Sequence, residues 1–106
     1  GIGGRVGTVV GQKLWGLTVS NDSQICRHQV LCVTHLPQLA AYADLHLHVH
    51  KGIIGKRTVT AVRPLDGAER EQELAEMLGA LTDKTLASAR EILIESQKNK
   101  DLKLES

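Results

Sequence analysis

The spacing of apolar positions changes several times along the chain, and each change predicts an element. Val6, Val9, Val10, Leu14 and Leu17 share one helical stripe with Lys13 at its edge, which predicts a helix from Arg5 to about Val19. Before it, three glycines in the first four residues predict a loop. Gly7, Gly11 and Gly16 each weaken the helix by about 1 kcal/mol relative to Ala, or else let it approach a sheet closely. After a polar loop over 20–29, Val30 to Val33 is apolar at every position. That predicts a strand buried on both faces, of the kind found in parallel sheets. It ends in Thr34-His35, and Pro37 starts a short helix from Leu36 to Ala43.

From Leu45 the period becomes two. Leu45, Leu47 and Val49 point one way and His46, His48 and His50 the other, so 45–51 is a strand, with the histidine row expected to face solvent. A turn over Gly52–Gly55 joins it to a second alternating run, Lys56–Arg63, as an antiparallel hairpin ended by Pro64. Asp66 and Glu69 resemble a capping box for a helix that buries Leu74, Met77 and Leu78 and stops at Gly79. A last helix, about Lys84 to Gln97, aligns Leu86, Ala89 and Leu93. Residues 98–106 form a charged tail, expected to fray. The pattern describes an α/β chain with an incomplete sheet. A buried parallel strand needs parallel neighbours, and these are expected upstream of Gly1.

Composition narrows the function classes. Thirteen Lys and Arg balance twelve Asp and Glu, so no overall basic field points to nucleic acid. Aromatics are limited to Trp15 and Tyr42, which predicts a modest core of Val, Leu, Ile and Ala. No stretch has the roughly 20 apolar residues of a membrane span, and the first residues do not read as a signal peptide. Two cysteines, Cys26 and Cys32, are too few for a disulfide scaffold and suit a reducing cytoplasm. From the start on a glycine-rich stretch without Met, a piece of a longer protein is expected.

Three groups of residues carry candidate chemistry. His35 stands at the carboxyl end of the buried run, where ligands bind in open parallel sheets. The row His46, His48, His50 is a candidate metal-binding or interaction surface, but alternate residues of a strand lie roughly 6–7 Å apart, wide for one tetrahedral ion. Cys26, His28, Cys32 and His35 have zinc-type donors, yet Cys32 falls inside the buried run, where a thiol is a small core hydrophobe. Lys51, Lys56 and Arg57 cluster at the hairpin turn, either as a solubilising edge or as a contact for phosphate or an acidic partner.

Several stretches together resemble a known family. Gly1-Ile2-Gly3-Gly4-Arg5-Val6, the run Val33-Thr34-His35-Leu36-Pro37-Gln38 with Leu39–Asp44 behind it, Val62-Arg63-Pro64-Leu65, Glu69-Arg70, Glu73–Gly79 and Thr85-Leu86-Ala87 are similar in order to the C-terminal part of the RecN family, SMC-like members of the ABC ATPases. The resemblance implies the C-terminal lobe of a P-loop (ABC/SMC-type) ATPase head over 1–97. It implies that Gly1, Ile2, Gly3 and Gly4 are the D-loop at the interface between two heads, and that His35 is the H-loop switch histidine beside the γ-phosphate of ATP. ATP and Mg²⁺ would be bound together with upstream residues. The implied partners are the N-terminal part of the same head, a second head in an ATP-engaged homodimer, and DNA through the intact protein, with no membrane partner. The implied work is recombinational repair of DNA double-strand breaks, in the cytoplasm at the nucleoid. The chain has no G-x-x-x-x-G-K-[ST] loop, no ABC signature and no Asp-Glu pair after an apolar strand, so alone it is expected to be inactive.

Overall fold

A computed structural model describes residues 2–19 and 28–105. The elements run in the order α1 (Ile2–Thr18), α2 (Pro37–Ala40), β1 (Leu47–Ile54), β2 (Arg57–Pro64), α3 (Gly67–Met77) and α4 (Asp83–Glu105). Helices combined with a two-stranded antiparallel hairpin agree with the mixed α/β class. None of the helices is long and apolar enough to cross a membrane.

The core lies where α2, α3 and α4 meet. Ala40 and Ala41, at and just beyond the end of α2, pack with Leu74 and Ala75 of α3 and Ala89 of α4, enclosed by Met77, Leu78, Leu86, Ile92 and Leu93. Leu74, Ala75 and Ala89 are wholly excluded from solvent. The contact surfaces are mostly alanine, which lets the backbones approach closely. Both long helices of this core start on local caps. Asp66 accepts from the Glu69 N–H at 2.8 Å while the Glu69 carboxylate accepts from the Asp66 N–H, the reciprocal box expected from the sequence. Ahead of α4, the Thr85 N–H donates to Thr82 Oγ1 at 3.1 Å and the Thr82 N–H to Thr85 Oγ1 at 2.9 Å.

The hairpin pairs Leu47 with Pro64 through to Ile54 with Arg57. The turn is therefore the two residues Gly55-Lys56, shorter than expected, and Gly52 lies inside β1. Gly55 has φ +65°, and glycine at the first position of a two-residue turn matches the twist of the strands. The histidine face, expected to face solvent, is the one turned toward α3, whereas Val49 and Val62 on the opposite face stay 61% and 57% exposed.

Three expectations about burial fail, for one reason. Val30–Val33 is not a buried strand: it forms no ladder, and Leu31 and Val33 are 86% and 97% exposed. In α1 the stripe Val6, Val9, Val10 and Leu17 also faces solvent, and the buried side is Gly7, Gly11 and Trp15. Cys32 is exposed rather than in the core. Apolar periodicity marks a face that gains from burial, but within these residues nothing covers it. Smooth glycine surface, by contrast, lets α1 settle on α2 and Tyr42.

The charged tail does not fray. Helix α4 continues to Glu105 because Lys100 is buried, with Nζ 3.0 Å from Asp44 Oδ1 and 5.4 Å from the Trp15 ring centroid. One residue earlier, Asn99 Nδ2 donates to Tyr42 Oη at 2.8 Å.

Candidate functional site

The site is built around the bend at His35. Leu36 takes the extended conformation (φ −94°, ψ 113°) that a following proline requires, and Pro37 opens α2. The Leu36 N–H donates to Thr34 Oγ1 at 3.0 Å, a local clasp across His35. The imidazole itself is exposed and has no polar partner among the described residues.

Behind this bend α2 is held at its far end. Arg70 Nη2 donates to the carbonyl oxygens of Ala43 at 2.7 Å, Ala41 at 2.9 Å and Ala40 at 3.2 Å. Ser96 Oγ donates to Ala41 O at 3.0 Å. The last carbonyls of a helix have no intrahelical donor, and a cation is the most effective donor for them. Burial pulls the Arg70 guanidinium below its ordinary pKa, with Asp44 opposing, and it remains a cation. Helices α3 and α4 thus fix a four-residue helix that could not hold its own shape, leaving His35 at its free end.

The second predicted segment lies alongside. Ile2–Gly4 is the first turn of α1 rather than the expected loop, and Gly1 lies outside the described residues. Glycine disfavours a helix only mildly, and here the Thr8 hydroxyl donates to Gly4 O at 3.0 Å. Gln38 covers Gly4, its Nε2 3.2 Å from where a methyl on that glycine would stand, and Leu36 and Leu39 cover Gly7 in the same way. The structure therefore brings the glycine-rich start of α1 against the His35–Gln38 turn, although the two are separated by some thirty residues of chain.

The histidine row does not converge. His48 Nε2 lies 3.7 Å from Glu73 Oε2, His48 and His50 stack at 6.4 Å, and His46 lies before β1, partly buried. Among the described residues no three His, Cys, Asp or Glu side chains are placed to hold a metal ion. Of the Cys26, His28, Cys32, His35 set, Cys26 lies outside the described residues. Sequence reasoning missed the anchors Arg70, Ser96 and Asp44. Asp44 and Arg70 fall within the stretches that carry the family resemblance, but nothing local in the sequence marks any of the three as an anchor.

Comparison with known proteins now bears on this arrangement. No protein-family model matches the chain. Curated relatives do: DNA repair protein RecN of Mycobacterium leprae is 44% identical over 102 residues, that of Xylella fastidiosa 43% over 99, and that of Bacillus subtilis 38% over 95. These alignments cover 94%, 92% and 88% of the chain.

The chain matches the C-terminal part of RecN.

It spans only 15–16% of the length of those relatives. The RecN-like match takes in nearly all of the chain, so it includes both the His35 turn and the anchors behind it. In this RecN-like chain the apolar stripe of α1 and the run Leu31–Val33 are faces that the remaining length of such a protein has ample residues to cover.

Proposed function

We propose that this chain is the C-terminal lobe of a P-loop, ABC/SMC-type ATPase head in a protein that repairs DNA double-strand breaks by recombination. His35 acts there as the switch histidine that senses the γ-phosphate of ATP. The observation that carries the reading is His35 itself: an exposed imidazole without a polar partner among the described residues, on a turn anchored from behind by Arg70 and Ser96. Phosphoryl transfer spreads negative charge over the γ-phosphoryl oxygens, and catalysis there is chiefly positioning and electrostatic stabilisation. A ring N–H held in place before the charge develops stabilises it without reorganisation, an effect worth roughly 3 kcal/mol or 10²–10³ in rate for one donor.

The glycine end of α1 complements this role. With Gln38 packed on Gly4, a displacement of the His35 turn is carried to the start of α1, which in the resemblance is the loop between two heads. Mg²⁺ supplies charge neutralisation on the phosphates when bound. The resemblance puts the ion with residues upstream of this chain, and nothing in His35's role is routed through it. The protein works in the cytoplasm, at the nucleoid, with a second head and DNA as partners.

The test is His35→Ala in the intact protein. Turnover of ATP should fall by about 10²-fold or more, while stability stays within about 0.5 kcal/mol because the side chain is exposed. Unchanged turnover removes the switch role.

A further inference from the structure

The near-neutral total conceals an uneven distribution of charge. Residues 45–65 hold Lys51, Lys56, Arg57 and Arg63 and no Asp or Glu, so the rest of the chain is net negative. That segment is the hairpin with its two flanks. Arg63, near its base, is paired with Glu69 of α3. Lys51, Lys56 and Arg57, toward its tip, are all exposed and have no acidic partner among the described residues. Between them Ile53 and Ile54 are 78% and 71% exposed. Contact with α3 is confined to the base, where His48 lies by Glu73 and Arg63 pairs with Glu69, and eight-residue strands make an arm of about 25 Å.

A cationic tip with one exposed isoleucine on each face of the ribbon fits a densely anionic partner that takes the ribbon into a groove. A two-stranded ribbon enters the major groove of B-form DNA, about 12 Å wide, whereas the corresponding groove of A-form RNA is too narrow and deep. We propose that the β1–β2 hairpin is a duplex-DNA-binding arm. Lys51, Lys56 and Arg57 engage phosphates, and Ile53 and Ile54 lie against the sugars and base edges of the groove. With Lys51, Lys56 and Arg57 all placed on phosphates, whose contacts carry no sequence information, the binding is independent of sequence. The arm does not depend on the role given to His35; it shares with that reading only that the intact protein meets DNA.

The experiment compares the intact protein with its Lys51→Ala/Lys56→Ala/Arg57→Ala variant, using fluorescence anisotropy with a labelled duplex of about 30 base pairs. Each phosphate contact contributes about 0.9 to the slope of log affinity against log salt. The variant should therefore lose 2–3 from that slope, and on the order of 100-fold in affinity at about 0.15 M salt. Duplexes of unrelated sequence should be affected alike. The charge-retaining variant Lys51→Arg/Lys56→Arg/Arg57→Lys should keep the wild-type slope, which separates lost charge from lost fold. A wild-type slope in the alanine variant overturns the proposal. So does a loss confined to phosphatidylglycerol vesicles or to polyglutamate while duplex binding persists. If the arm fails this test and His35→Ala still abolishes turnover, the ATPase reading stands without it.

Discussion

Gly11 lies against the ring of Tyr42 so closely that a methyl group on its Cα would stand 2.4 Å from Cδ2 and 3.0 Å from Cγ. Tyr42 cannot swing aside, because it is 5% exposed and its hydroxyl accepts from Asn99. Gly11→Ala should therefore destabilise the protein: overpacking costs about 1–3 kcal/mol, against the roughly 1 kcal/mol that alanine returns in helix propensity. Gly16 is the internal control. Its nearest neighbour, Lys103 Cε, would be 4.0 Å from the new methyl, so Gly16→Ala should stabilise by up to about 1 kcal/mol. Urea denaturation of the two variants checks the order, and equal effects would mean that α1 does not seat on Tyr42.

Asp44 holds two groups at once, accepting from Trp15 Nε1 at 3.1 Å and pairing with Lys100. The partners are unequal in exposure: the Lys100 side chain is 8% exposed and that of Asp44 66%. Removing the exposed partner should hurt more than removing the buried one. Asp44→Ala strands a buried ammonium and should cost about 1–3 kcal/mol, the pair's partial exposure keeping it below the fully buried case. Lys100→Met keeps the packing on Trp15 and leaves a carboxylate that water can solvate, so it should cost less than about 1 kcal/mol. Thermal unfolding of both variants measures the asymmetry.

What the sequence revealed follows from how local each device is. The hairpin, the Asp66–Glu69 box and the face of α4 through Ala89 depend on neighbours a few residues apart, and all three are present. The surface of α1 that packs is glycine, which has no hydrophobicity for a periodicity to register, so the pattern leaves Gly7 and Gly11 open between weakening the helix and approaching a sheet, and what they approach is α2 and Tyr42. Lys100 was lost in a charged run because its counterpart, Asp44, is remote in sequence. For the site, His35 was visible as a residue after an apolar run. What steadies it was not, since Arg70 reaches α2 from a different helix.

Val6, Val9 and Leu17 on α1 and Leu31 and Val33 on the extended segment, each between 43% and 97% exposed, are large apolar side chains open to a partner surface. The 106-residue chain expressed alone should self-associate. Sedimentation across a range of concentrations should show a rising average mass. Val6→Lys/Val9→Lys should lower it while leaving the helix content unchanged, because neither side chain packs in the core. A monomer at all concentrations would contradict this.

His46 sets a pH dependence whose sign can be worked out. Burial lowers its pKa below 6.5, the positive charge of Arg70 and the neighbouring His48 lower it further, and Glu73 opposes them. Its Nδ1 is buried without a hydrogen-bond partner, so the neutral ring is the form that the fold accepts. Above pH 6.5 both folded and unfolded chains carry the neutral ring, and its contribution to stability is fully present. As the pH falls below that value the unfolded chain takes up a proton that the folded chain refuses, and stability declines until the folded pKa is reached. Urea midpoints should therefore drop as the pH falls through and below 6.5, before ordinary carboxylates titrate. His46→Leu should flatten the decline. The same slope in that variant would assign the effect to another histidine.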